Sequence, residues 1–87
     1  MAFPAFKEYL FDENRKPTGI TRMVSLNVEQ IVYIYPVTIS FPDLHCPFND
    51  EEITKEAYCF KFTTGETKII DIKKETLNLY GLGYFDR

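Results

Sequence analysis

The stretch FPDLHCPFND, residues 41–50, holds the chain's single histidine, His45, directly before Cys46 and two positions after Asp43, with acids following at Asp50, Glu51 and Glu52. The second cysteine, Cys59, lies further along in YCFKF. Structural zinc takes four N, S or O ligands in a tetrahedron, and His45, Cys46, Cys59 and Asp43 are the donors this chain could offer. Their spacing argues otherwise. Zinc clips repeat Cys-x-x-Cys or His-x-x-x-His, whereas adjacent His45 and Cys46 point to opposite sides of an extended chain. A nucleophilic pair of Cys59 and His45, with Asp43 orienting the ring, would need an electropositive setting to form thiolate, and this loop is acidic. The simpler reading makes Cys59 a small strand residue and His45 a polar loop residue, with no metal, no cofactor and no enzyme. The glycine stretches TTGETK and GLGYFD lack the Gly-x-x-x-x-Gly-Lys pattern that wraps phosphates. The acid pairs at 12–13 and 51–52 fall in turn-like polar segments and read as solvated.

The elements that would position these residues are small in number. The 87 residues are 45% hydrophobic and 16% aromatic, with eight Phe, six Tyr and no Trp, so large side chains must supply the burial that a short chain lacks. One domain, 1–87, is expected. Ten Lys and Arg against thirteen Asp and Glu give a formal charge of −3, and the longest basic run, Lys73–Lys74, is flanked by Asp71 and Glu75. No concentrated basic face for a phosphate backbone is legible. Met1 to Phe11 lacks the basic start and long apolar core of a secretion signal, and no stretch reaches membrane-spanning length. The cytoplasm is the expected compartment, with both thiols reduced and no membrane partner.

Along the chain, FKEYLF alternates like a strand, DENRKPTG gathers turn formers with Pro17 and Gly19 to reverse it, and ITRMVSL completes a hairpin. After the polar NVEQ, the run IVYIYPVTISF is the longest β-type segment. Ile31, Tyr33, Tyr35, Val37 and Ile39 are expected on one face, Val32 and Ile34 on the other. Pro36 has no N–H and predicts a bend, a split or an edge position. Residues 41–54 lose the alternation and read as a loop. KEAYCFKF, a turn at TTGE and TKIIDI form a second hairpin, with Tyr58, Phe60 and Phe62 on one face. KKETLNLY then predicts a short helix ended by Gly81.

The segments VSLNVEQIVYIYP and CFKFTTGETKIIDIKKETLNLY resemble a pattern found in small bacterial and phage β domains of the FlbD-like type. The matching positions are Asn27, Ile31, Val32, Ile34, Gly65, Ile70 and Leu77. The resemblance implies a polar turn before an Ile/Val/Tyr strand, a hairpin with Gly at its tip and a short closing helix. The N-terminal hairpin and residues 41–54 depart from it. The first segment is also similar to part of LytTR-type DNA-binding domains, without a matching set of basic residues.

These features lead to a mainly β (α+β) domain: a small antiparallel barrel or rolled sheet of about five strands with one short C-terminal helix. The expected role is non-enzymatic, a bacterial or phage protein-binding or regulatory module that self-associates or inhibits a partner protein. The contact residues expected from the proline-braced loop and the tail are Phe41, Leu44, His45, Phe48, Tyr84 and Phe85. The alternative is single-stranded nucleic-acid binding, with bases stacked on Tyr58, Phe60 and Phe62 beside Arg22, Lys61 and Lys68. A Cys/His enzyme or metal-binding protein ranks behind it.

Overall fold

A computed structural model describes residues 3–43 and 51–82. In chain order they form β1 (Ala5–Phe11), β2 (Pro17–Ser25), a single 3-10 turn (Val28–Gln30), β3 (Ile31–Pro42), β4 (Glu52–Phe62), β5 (Thr67–Asp71) and α1 (Lys74–Leu79). The five strands make one sheet in the order β2-β1-β5-β4-β3, and every ladder in it is antiparallel. Each strand bonds its neighbour in sequence except at β2–β3, while β1 bonds β5. The result is a ring left open at one seam. The sheet is therefore rolled, not closed into a barrel, and its edge strands still touch where Gly19 of β2 meets the ring of Phe41 of β3.

Local chemistry sets the turns. The reversal after β1 is built by Asp12, whose Oδ1 accepts from the backbone N–H of Asn14 at 2.8 Å and of Lys16 at 2.9 Å. Arg15 takes the left-handed conformation there, with φ +61°. Pro17 and Gly19, expected to make this turn, already belong to β2, because the Asp12 side chain and two backbone bonds, Arg15 N–H to Asp12 O and Asp12 N–H to Lys16 O, close the turn before them. Asn27 caps the 3-10 turn through Oδ1. Gly65, at φ +88°, closes the β4–β5 turn, and the backbone N–H of Phe62 donates to Glu66 O at 2.9 Å. Helix α1 ends in a Schellman arrangement: Gly81 N–H donates to Asn78 O, Leu82 N–H donates to Leu77 O, and both leucines are buried.

The β3–β4 hairpin decides the Pro36 expectation in favour of an edge position and corrects two others. Its ladder runs without interruption from Tyr33–Lys61 to Pro42–Glu52, passing through Pro36, and the register shift lies earlier, between Ile31 and Tyr33. Pro36 is tolerated because β3 is an edge strand with one bonded neighbour. The bulge at Val32 puts Ile31 and Ile34 together in one core cluster, so Ile31 does not share a face with Val37 and Ile39. Strand pairing also continues into the expected loop, since Phe41 opposes Ile53 and Pro42 opposes Glu52.

Side chains alternate across β4, and the consequence is two cores. Phe60 and Phe62 point to one face and join Phe6, Ile34, Ile70, Ile72, Leu26, Leu77 and Leu82. Ala57 points to the other and joins Tyr9, Ile39 and Phe41, with Val37, Ile53 and Ile69 packed alongside. Phe60, Ile34, Ile70 and Leu77 are completely enclosed, and burying a side chain of this size contributes about 1.5–3 kcal/mol. Both faces of the central strands are thus used, one beneath the helix and one beneath Phe41.

Candidate functional site

The expected contact residues divide cleanly. Phe41 is buried in the second cluster, its ring 6.1 Å from that of Tyr9, so it serves the core and not a contact surface. Leu44, His45, Cys46, Phe48, Tyr84 and Phe85 lie outside the described residues. The aromatic face that the nucleic-acid alternative would use is core: Phe60 and Phe62 are buried, Tyr58 is half-buried, and all three pack in or against the first cluster. Of the cations placed beside it, Arg22 Nε lies 3.1 Å from Glu8 Oε1, and Lys68 Nζ lies 3.4 Å from Glu8 Oε2 and 3.0 Å from Glu66 Oε1. Burial draws the Lys68 ammonium down, but its hydrogen bonds to Glu66 and Glu8 and their charges outweigh that and leave its pKa raised. These residues hold β2, β1 and β5 together.

The first half of β3 is open to solvent, as are Ile20 and Met23 of β2 and Leu79 and Tyr80 at the end of α1. Tyr33 and Tyr35 are 43% and 36% exposed, with ring centroids 5.5 Å apart and planes inclined at 45°. Val32, 48% exposed at the bulge, extends the strip, and Lys61 stands opposite Tyr33 in the ladder. The sequence placed the two tyrosines on one face. It could not show that only the far part of that face, from Val37 to Phe41, would be covered.

Beneath the strip lies Cys59, a free thiol only 3% exposed and opposite Tyr35. A hydrogen bond to this thiol, followed by the thiol's charge interaction, slight burial and the nearby Tyr33, raises the Tyr35 phenol above its ordinary range. Further across the same face, burial and the carboxylate of Asp71, which accepts from the Tyr9 hydroxyl, raise the Tyr9 phenol.

The chain matches no family model, no curated protein and no solved structure. Its chemistry must be read from its own surface.

Among the described residues, no group of three or more His, Cys, Asp and Glu is placed to hold a metal ion. No helix among them is long and apolar enough to cross a membrane. An open cleft of about 380 Å³ lies where β5 passes into α1, between Lys7, Met23, Asp71, Lys73 and Tyr80. It is shallow and mixed in character. The tyrosine strip is the more distinctive feature, because large aromatic side chains are there held outward by a rigid ladder.

Proposed function

We propose that this chain is a non-enzymatic protein-binding module, a small regulator that seats another protein on the Val32–Tyr33–Tyr35 strip of β3. The observation that carries the reading is the pair of exposed tyrosine rings 5.5 Å apart on an edge strand. Tyrosine gives large contact area with few rotors to freeze and keeps a polar tip for hydrogen bonding, which is why it concentrates at binding hot spots. A strand braced by a continuous ladder from Tyr33 onward adds little ordering cost on association. The buried free thiol of Cys59 suits a reducing compartment, and the cytoplasm is the proposed site of action.

Affinity capture from the source cell tests the reading, with the wild-type chain and the Tyr33→Ser/Tyr35→Ser variant as baits of matched circular dichroism. A protein retained by the first and lost from the second supports it. Capture that ignores the two tyrosines, or that yields nucleic acid alone, overturns it.

A further inference from the structure

Resting on the protein-binding reading, we infer that the segment seated on the strip is acidic: an apolar or aromatic residue of the partner flanked by Asp or Glu. Strand alternation sorts this chain's charges by face. On the tyrosine face stand Lys61, opposite Tyr33, Lys55, opposite Ile39, and Lys7, opposite Asp71. Asp71 is the acid that the strands place among them, and its carboxylate already accepts the Tyr9 hydroxyl. The opposite face takes Glu8, Glu52 and Glu56 together with the cations Arg22 and Lys68, both paired with Glu8. In a chain of net charge −3, the charge standing beside the exposed tyrosines is therefore the cation Lys61.

Lys61 is exposed and makes no ion pair among the described residues. A carboxylate arriving beside the rings would gain its charge at little desolvation cost, whereas a basic segment would be repelled. The rings and Val32 supply the apolar half of the site. A phosphate polymer needs several cations to displace its counterions, and a single lysine beside the rings on a net acidic chain does not provide them. Peptide carboxylates spaced around an anchor fit that supply better.

Backbone amide shift mapping of the full chain decides the matter with three probes: a short peptide alternating Glu with Leu around a central Phe, the same peptide with Lys for every Glu, and an oligothymidylate. The acidic peptide is expected to shift Val32–Tyr35 and Lys61, to weaken as salt rises, and to bind about tenfold less tightly to Lys61→Glu. The basic peptide is expected to bind about tenfold more weakly than the acidic one. If the basic peptide shifts the same amides at equal or lower concentration, the charge inference fails and the strip reading stands. If neither peptide moves these amides, both fail. Saturation by the oligonucleotide at lower concentration overturns both in favour of nucleic acid. A native-mass dimer that Tyr33→Ser dissolves overturns the acidic-partner inference in favour of a second copy.

Discussion

Phe41 occupies the space that a side chain at Gly19 would need: a Cβ there would lie 2.6 Å from Phe41 Cδ2, on a backbone with φ +82°. This contact draws the two edge strands together at the open seam of the sheet. Gly19→Ala should cost about 2–5 kcal/mol, combining a left-handed backbone penalty of about 1–2 with overpacking of about 1–3. Urea unfolding measures it, and a double-variant cycle with Phe41→Leu should return part of the loss. Strict additivity would show that the ring is not responsible.

Leu77 is the fully buried residue by which α1 holds the sheet, and Leu82 packs in the same cluster after the helix turns at Gly81. Leu77→Ala should lower stability by about 2–5 kcal/mol and expose the Gly81 and Leu82 amides to hydrogen exchange together. Unchanged exchange at these two amides would mean that the helix end is held by something else.

Among the described residues, three pKa shifts act in one direction. Lys68, Tyr9 and Tyr35 all have folded values raised above their ordinary ones, so the folded state holds those protons more tightly. Their contribution is complete below the unfolded values of 10.0 for the tyrosines and 10.5 for lysine, and is lost as pH rises through the raised folded values. Unfolding free energy measured by urea should therefore fall on the alkaline side from about pH 10 upward, and Tyr9→Phe should make that limb shallower. A limb of the same slope in Tyr9→Phe would remove Tyr9 from the account.

Cys59 is buried beneath Tyr35, which should make it inert to thiol reagents in the folded chain. In a Cys46→Ser background, labelling by an aromatic disulfide should be slow and should accelerate at least about tenfold in Tyr35→Ala, through exposure and not through unfolding. Equal rates in the two proteins would show that Tyr35 does not guard the thiol.

The second hairpin was legible because each of its signals is local: alternation in YCFKF, a glycine that can take positive φ in TTGE, and alternation again in TKIID. The helix and its glycine stop were legible for the same reason. The first turn was misplaced because Pro17 and Gly19 are generic turn formers, whereas the hydrogen bonds of Asp12 did the work. The candidate site was read only in part. Spacing puts Tyr33 and Tyr35 on one face, but the contact residues it points to lie in the loop and the tail, and of these Phe41 belongs to the core.

By itself the sequence determined the elements and their kind, a mainly β chain with a short closing helix, because period-two alternation, turn residues and a helix stop act over a few residues. Which charges share a face with the tyrosines needed the ladder register as well, since parity within one strand says nothing of its neighbour. Only the tertiary structure decided which of those residues meet water. The bulge at Val32 reset the parity of β3, and the rolling of the sheet carried Phe41 onto Gly19, covering one half of a face and leaving Tyr33 and Tyr35 outside. Exposure depends on contacts between residues distant in sequence, and a local pattern carries no information about them.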